Sequence, residues 1–372
     1  MTRHAFWIAA LFFAALVLAN FDRHTGFTSL IRFGETWQDR RHSSLQNLPI
    51  ATVAGSNGYD GQFYAQIALD PLLRGTEINQ IVDTPAYRSR RILTPAMAAI
   101  LGSGSPWRTL QAYALLNVAC WFALGWLLLQ QTGNGDWVAF ARWGGCMFSL
   151  GVLDSVRQSL VDLPALLLLV LAVRSSLRGK STGSAVWLAL GNLAKETNLL
   201  GTIALCSDKL LTRAHWKRTL FSLVVASLPI ALWSLYVQAR LDGPHDGNAS
   251  GNFTWPLMGI LIQAKISLHE VLHGNLDGRY AFCLLGIAGL FVQVLFLWRT
   301  PQFASPWWRI GVVFSVIFLF LSSWVWSGYW AVCRAALPMT IAYNLLLPAG
   351  RRFWPLWIVG NLTLLHGVWR FL

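Results

Sequence analysis

Residues 107–131 read WRTLQAYALLNVACWFALGWLLLQQ, with no charged side chain after Arg108. A helix of about 20 apolar residues crosses the hydrocarbon core of a bilayer and satisfies its own backbone polar groups. Further apolar segments recur along the chain, and they lack the alternation with a period of two that a membrane β-barrel requires. The sequence therefore predicts an all-α polytopic membrane protein.

Composition agrees with this fold class. Hydrophobic residues make up 55% of the 372 residues, charged residues make up 12%, and the mean hydropathy is +0.48. We predict a single integral-membrane domain over residues 1–372, with about nine full transmembrane helices. Between 184 and 206, two apolar pieces flank Lys195-Glu196, and each is too short to cross alone, which predicts a broken half-helix pair. The nine predicted spans are residues 6–20, 107–131, 138–153, 164–177, 219–240, 280–298, 309–326, 335–348 and 353–369.

Basic residues set the predicted orientation. The short loops at 174–180, 207–218 and 349–353 are rich in Lys and Arg, which favours the cytoplasmic side. This places the N-terminus in the cytoplasm and nearly all acidic residues outside, in a long outer loop at 21–106 and a second at 241–279. The net charge of +13 comes from residues that flank spans, so membrane lipids are expected as partners and nucleic acid is not.

The first outer loop contains the most informative motif, Gly58-Tyr59-Asp60-Gly61-Gln62-Phe63-Tyr64. Apolar residues after Asp60 recur at helical spacing, which predicts a short amphipathic helix over 61–69 at the membrane interface, and a second helix is predicted near 90–101. Asp60 stands at the N-cap position of the first helix, and a capping role is one interpretation. The other is a catalytic carboxylate beside the aromatic and amide groups of the motif.

Cationic side chains favour the catalytic interpretation. Tyr87-Arg88-Ser89-Arg90-Arg91 precedes a segment that re-enters the membrane, and arginine binds phosphate through a bidentate fork. Lys195 and Glu196, expected to form an ion pair, interrupt an apolar region where an ionisable group usually faces a cavity or a partner. Arg334, at the outer end of a late span, is a further candidate of this kind.

Two carboxylates lie between apolar segments on the outer side. Asp154 and Asp162 flank the turn of a predicted hairpin. Charges in such a position usually belong to a solvated turn, and we interpret them in that way.

The chain resembles bacterial integral-membrane glycosyltransferases of the GT-C type. The resemblance implies a multi-spanning fold in a bacterial cytoplasmic membrane, with an outward-facing cavity that binds a polyprenyl-phosphate-linked sugar. The enzyme would transfer the sugar with inversion to an acceptor that the sequence does not identify, a glycan, a lipid or a protein. Four segments carry the resemblance: Gly58–Tyr64, Ala68-Leu69-Asp70-Pro71, Tyr87-Arg88 with Arg91-Ile92-Leu93-Thr94-Pro95, and Ala194-Lys195-Glu196-Thr197.

The resemblance also implies roles for individual residues. An acidic residue of the first outer loop serves as base or metal anchor in such enzymes, a role that maps onto Asp60, with Asp22 as the fallback. A divalent ion, Mg²⁺ or Mn²⁺, is left open because some relatives use one and others do not. Cations are needed to hold the departing phosphate, and Arg88, Arg91 and Lys195 are the candidates. The supporting residues are Tyr59, Gln62, Tyr64, Asp22, Glu196 and Arg334.

Two alternatives stay open. His269-Glu270-Val271-Leu272-His273 is an HExxH pattern on a predicted helix over 257–273, with Glu270 placed to activate a zinc-bound water and Leu276-Asp277-Gly278 offering a further ligand. An intramembrane zinc metalloprotease is therefore one alternative. A lipid-linked-sugar transporter or flippase is the other, because broken helices and charges at membrane depth also occur in transporters.

Overall fold

The computed structural model describes residues 2–133, 135–210, 216–241, 249–275 and 277–371. Parts of the predicted loops at 207–218 and 241–279 lie outside the described residues, Leu276 among them. Most of the described chain is α-helical, and the all-α fold class is confirmed. Its two strands have two residues each, β1 (Phe33–Gly34) pairing in parallel with β2 (Thr52–Val53).

The helices form three groups along the chain. The first comprises α1 (Thr2–Leu18) and four short helices of the first loop, α2 (Gly61–Ile67), α3 (Ile78–Ile81), α4 (Pro85–Ser89) and α5 (Leu93–Gly102). The second comprises α6 (Pro106–Thr132), α7 (Trp137–Met147), α8 (Leu150–Arg157), α9 (Asp162–Leu177), α10 (Ser181–Ala194), α11 (Leu199–Leu210) and α12 (Trp216–Arg240). The third comprises α13 (Met258–Leu272), α14 (Gly278–Arg299), α15 (Pro306–Phe320), α16 (Ser323–Ser327), α17 (Tyr329–Ala335), α18 (Leu337–Leu346), α19 (Phe353–Gly360) and α20 (Leu364–Phe371).

Three of the described helices, α6, α12 and α14, are long and apolar enough to cross a membrane. They coincide with the predicted spans at 107–131, 219–240 and 280–298. The other predicted spans are formed by helices of 17 residues or fewer, or by two helices in succession. Nine full-length spanning helices therefore stay a prediction for all but these three.

Breaks within the predicted spans explain why several of them are not single long helices. The predicted span at 138–153 divides between α7 and α8, where Ser149 has an extended ψ of 144°. At the break between α15 and α16, backbone groups that lack a partner within a helix bind the segment before α13. For example, Ser322 N–H donates to Asn252 O at 2.9 Å. Such pairing is what allows non-helical backbone at membrane depth.

The predicted broken half-helix pair is confirmed. Helix α10 ends at Ala194, Lys195 is extended with φ −158° and ψ 123°, and a 3₁₀ turn over Glu196–Asn198 leads into α11. The break thus lies at the two ionisable residues that the sequence singled out.

Exposed apolar side chains indicate an apolar solvent around the helices. On α12, Leu228, Leu232 and Leu235 are 49%, 57% and 61% exposed along one face. In water such a face would form a contiguous apolar patch of a size that monomeric soluble proteins rarely expose. Together with the three long apolar helices, this indicates a membrane protein.

The first loop folds into a compact cap rather than lying flat on the membrane. Helix α2 forms close to its predicted position, but all seven of its residues are buried. Gln62 accepts the N–H of Gly34 at 3.0 Å, and Gln66 accepts that of His42 at 2.8 Å, so both amides hold loop backbone. The amphipathic surface expected for α2 is therefore wrong, because no face of the helix is exposed. Helix α5 does expose apolar residues, with Ile100 76% exposed.

Candidate functional site

Two glycines bring the start of α2 close to α8. Gly58 has φ +71°, a left-handed backbone that favours glycine. At Gly61, a Cβ atom would lie 2.1 Å from the carbonyl oxygen of Gln158, so only glycine allows this approach. The glycines on either side of Tyr59-Asp60 thus set the direction of these two side chains.

Asp60 pairs with a guanidinium and makes no side-chain hydrogen bond to cap α2. Arg88 Nη2 donates to Asp60 Oδ1 at 3.0 Å. The same guanidinium binds Asp83 through both Nε and Nη2, with Nη2 2.7 Å from Asp83 Oδ2. The interpretation of Asp60 as a helix cap is therefore wrong.

Asp60 is partly exposed although its partner is buried. Its side chain is 37% exposed, against 9% for Arg88. Burial raises the pKa of Asp60, but the charges of Arg88 and Arg334 outweigh burial and hold the pKa below its ordinary value. Among the residues that the structure describes, none donates a hydrogen bond to Oδ2. Asp60 is thus an ionised carboxylate with one oxygen available.

Arg91 joins the first loop to the break after α10. It donates to Glu196 with both Nε and Nη2, at 2.8 and 2.5 Å, in the bidentate geometry expected for a guanidinium and a carboxylate. Its Nη1 donates to Tyr64 Oη at 2.7 Å, and Nη2 donates to Tyr87. Glu196 therefore pairs with Arg91, and the expected ion pair with Lys195 is wrong.

Lys195 pairs instead with a carboxylate at the start of α9. Its Nζ lies 2.5 Å from Asp162 Oδ1, and Arg334 Nη1 lies 3.4 Å from Asp162 Oδ2. Asp162 is only 8% exposed, so its interpretation as part of a solvated turn is wrong. Lys195, Asp162 and Arg334 form a triad. It lines a cleft whose other walls include Asn198 and Phe314.

Arg334 connects the triad to a second buried carboxylate. Helix α8 packs against α17 and α20, which brings Asp154 within 3.3 Å of both Arg334 Nε and Arg370 Nη2. Asp154 is 2% exposed, so it too is no solvated turn. Arg334 Nη2 also donates to Tyr59 Oη at 2.7 Å, which places Arg334 between Asp154, Asp162 and the motif.

Tyr59 receives two hydrogen bonds on its hydroxyl oxygen. The donors are Arg334 and Trp330 Nε1, the latter at 3.0 Å. Burial raises the pKa of Tyr59 to about 12 although Arg334 opposes this rise, so the hydroxyl keeps its proton at neutral pH. Because both lone pairs of the Tyr59 hydroxyl oxygen already accept hydrogen bonds, Tyr59 can bind a ligand by donating its hydroxyl proton.

These residues form three neighbouring ion-paired groups, which together we call the outer charge network after the side of the membrane predicted for most of them. It contains five carboxylates and five cations, so that the formal charges cancel. Arg88, Arg91 and Lys195 are therefore not free cations waiting for phosphate, because each is already held by a carboxylate. Its members are Asp60, Asp83, Asp154, Asp162, Glu196, Arg88, Arg91, Lys195, Arg334 and Arg370.

Two predicted site residues stay outside the network. Asp22 is exposed and accepts hydrogen bonds from the backbone N–H of His24 and Thr25, so it stabilises a local turn. Gln62 donates to Asn57 O at 2.7 Å besides accepting from Gly34, so it stabilises loop backbone. Neither makes a hydrogen bond or ion pair with the outer charge network.

Sequence reasoning missed several members of this site. Asp83, Arg370 and Trp330 were not candidates, and Asp154 and Asp162 were given no site role. A usable signal existed, because the predicted topology places all five residues on the outer side of the membrane. Asp83 lies only five residues from its partner Arg88, but the other partners lie far apart along the chain, so their pairing could not be derived.

The side chains of the HExxH pattern are not arranged as a metal site among the described residues. The rings of His269 and His273 stack with centroids 4.0 Å apart, and His273 Nδ1 contacts the carbonyl oxygen of His269 at 2.8 Å. Glu270 accepts a hydrogen bond from Asn275 at 2.8 Å. Among the described residues, no three His, Cys, Asp or Glu side chains are grouped to hold a metal ion.

Comparison with known protein families, with curated proteins and with solved structures finds no match to this chain.

Proposed function

We propose that this protein is a GT-C-like membrane glycosyltransferase. It transfers a sugar with inversion from a polyprenyl-phosphate donor to a glycan, lipid or protein acceptor, on the outer face of a bacterial cytoplasmic membrane. One observation carries the proposal: Asp60 is ionised, partly exposed and held by Arg88, with one carboxylate oxygen free of hydrogen bonds.

The reaction needs one base and a cationic environment. The acceptor hydroxyl oxygen attacks the anomeric carbon and passes its proton to Asp60, while the bond from that carbon to the phosphate oxygen breaks. The phosphate leaves with the electron pair of the broken bond. Lys195 and Arg334 stabilise this leaving group, because charge develops on it in the transition state. Tyr59 donates its hydroxyl proton to the bound sugar.

The cleft beside Asp162 has the two kinds of wall that an amphiphilic donor needs, and it must widen to admit one, because in this conformation it has room for about one water molecule. One end holds the ammonium of Lys195 and the guanidinium of Arg334, and other walls are apolar, including Phe314 and Leu337. A polyprenyl phosphate has the same division between an anionic head and an apolar tail. The carboxylate of Asp162 would then share its two cations with the phosphate rather than lose them.

A divalent ion finds few ligands beside Asp60. Asp60 and Asp83 are the two nearby carboxylates, and both are already bound by Arg88. Mg²⁺ prefers six oxygen ligands, so most of them would have to come from substrate and water. The proposed steps therefore use no metal ion.

Reconstituted vesicles test this function. Vesicles containing the protein are supplied with lipid extract from the host membrane, in which the lipid-linked sugars carry a radiolabel. A transferase moves the label out of the polyprenyl-phosphate fraction into a new glycosidic bond. A flippase, which the broken helix at Lys195 would also suit, carries the intact labelled lipid across the bilayer without forming that bond. Label that crosses but stays on the lipid would overturn the proposal.

A further inference from the structure

A second group of cations lies near the motif, and two of its members, Arg32 and Arg157, have no carboxylate partner among the described residues. Arg157, at the end of α8, donates from Nη1 to the backbone carbonyl of Ser29 at 3.0 Å, and its buried Nε makes no hydrogen bond. Ser29 lies three residues before Arg32, and Asp154, which lies one turn before Arg157 on α8, is 3.3 Å from Arg370 Nη2, so all three arginines come to the same end of α8. Burial and the charges of Arg32 and Arg370 lower the pKa of Arg157 to about 10. The carboxylate of Asp154 offsets only part of this repulsion.

Arg32 takes part through an unusual backbone. Its φ is +59°, which is uncommon for a residue with a side chain and occurs preferentially at functional sites. In this conformation the carbonyl of Arg32 accepts the N–H of Tyr59 at 3.0 Å, so the residue is tied directly to the motif. Among the described residues its guanidinium makes no hydrogen bond and no ion pair.

Arg370 completes the group next to Trp330. Its Cζ lies 4.1 Å from the centre of the Trp330 ring, and Arg279 lies over the same ring at 5.5 Å. Trp330 in turn donates to Tyr59 Oη. The arginines are thus linked through Trp330 and the Arg32 carbonyl to the residue that precedes Asp60.

The charges here do not cancel. Asp154 is the carboxylate that lies within ion-pair distance of Arg370, and it also serves Arg334. Arg32 and Arg157 make no ion pair with any described carboxylate. Like charges held together in a partly buried position are costly unless an anion joins them, since each repels the others.

We propose that Arg32, Arg157 and Arg370 form an anion site that binds a phosphate or carboxylate group of the acceptor. The site is separate from the cleft at Lys195, where the cations are already paired. Its assignment to the acceptor rests on the proposed transfer reaction, and the anion site itself does not. The acceptor is therefore an acidic molecule, either a soluble acidic saccharide or a lipid with an anionic headgroup.

Phosphate binding tests the site without any turnover. The purified protein in neutral detergent is dialysed to equilibrium against ³²P-labelled inorganic phosphate at low salt. Arg32→Gln and Arg157→Gln should each weaken binding about tenfold, because each removes a charge-assisted contact. Arg108→Gln is the matched control, an exposed arginine on the same predicted side without a carboxylate partner, and it should bind like the wild type.

The outcomes separate this site from the donor cleft. Binding that survives both arginine variants, or that Lys195→Met abolishes instead, would overturn the proposal. Competition then identifies the source of the acid: displacement by glucose 6-phosphate supports a soluble saccharide, and displacement by phosphatidylglycerol nanodiscs supports a lipid headgroup. Because no sugar is transferred, loss of the anion site and failure of the transferase proposal are seen in different experiments.

Discussion

Asp60 is ionised because its neighbours are cations, although burial favours the neutral acid. Burial raises its pKa, and the charges of Arg88 and Arg334 lower it by more. An ionised carboxylate with a lowered pKa is a weak base, and at neutral pH it carries no proton and can accept one. Its hydrogen bond to Arg88 also fixes one oxygen and leaves the other for a substrate.

The pH dependence of transfer should reveal this balance. The acid limb of kcat/KM should lie below the ordinary range for aspartate, because the ionised form is the base. Arg88→Gln removes the largest opposing charge and should move that limb to higher pH, since burial is then opposed only by the charges of Arg334 and Arg91. Arg88→Lys keeps the charge and should move it less. An acid limb at the same pH in all three proteins would show that another group controls the profile.

The motif could be recognised in the sequence, but the partners of its side chains could not be predicted. Glycine on both sides of Tyr59-Asp60 indicated a special turn, and the acidic residue was singled out correctly as part of a polar site. Its partner was not, because Arg88 lies 28 residues away and several arginines were equally available in the loop. Gln62 was misjudged for the opposite reason, since its amide is used by adjacent loop backbone.

The broken helix between α10 and α11 is the element on which the donor cleft depends. A lysine at the centre of a spanning helix costs about 2.5–3.5 kcal/mol, so the chain breaks there and pairs the charge. The sequence predicted the break, because ionisable residues interrupt an apolar region. It could not predict that Lys195 and Glu196 turn to different partners, since Asp162 and Arg91 belong to other elements.

Removing Lys195 should destabilise this element. Lys195 and Asp162 are 14% and 7% exposed, and breaking a buried ion pair costs about 3–5 kcal/mol when the partner charge is left alone. Without Lys195, Asp162 keeps only the longer contact of 3.4 Å to Arg334, so we expect Lys195→Met to lower the unfolding temperature measured by tryptophan fluorescence. Adding Asp162→Asn should restore part of the loss, since the buried carboxylate that lost its closer partner is then gone.

Lys180→Met is the control for that series. Lys180 is exposed at the end of the α9–α10 turn, so its loss should leave the unfolding temperature near that of the wild type. Equal shifts in Lys180→Met and Lys195→Met would mean that the Asp162 pair contributes no specific stability.

At the scale of the whole molecule, apolar content predicted the class but not the number of unbroken helices. Apolar residues continue on both sides of Ser149 and of Ser322, so a search for long apolar segments does not reveal the breaks there. The structure supplies the missing information through pairing, as at Asn252 and Ser322. Charged residues were the better guide, because every member of the outer charge network falls on one predicted side except Lys195 and Glu196, which were predicted at membrane depth.

The outer charge network brings together residues from three parts of the chain that are far apart in sequence. The first loop supplies Asp60 and Arg88, the central helices supply Asp154, Asp162 and Lys195, and the last helices supply Arg334 and Arg370. Under the proposed function, such a site would receive the lipid donor from one side and the acceptor from the other.

The most direct test is sugar transfer by the Asp60→Asn protein in reconstituted vesicles. The side chain keeps its size and loses its ability to accept the acceptor's proton, so the rate should fall by about 10²-fold or more. Asp39→Asn, an exposed aspartate of the same loop, should transfer at the wild-type rate at equal amounts of folded protein. Transfer by Asp60→Asn at the wild-type rate would contradict the account.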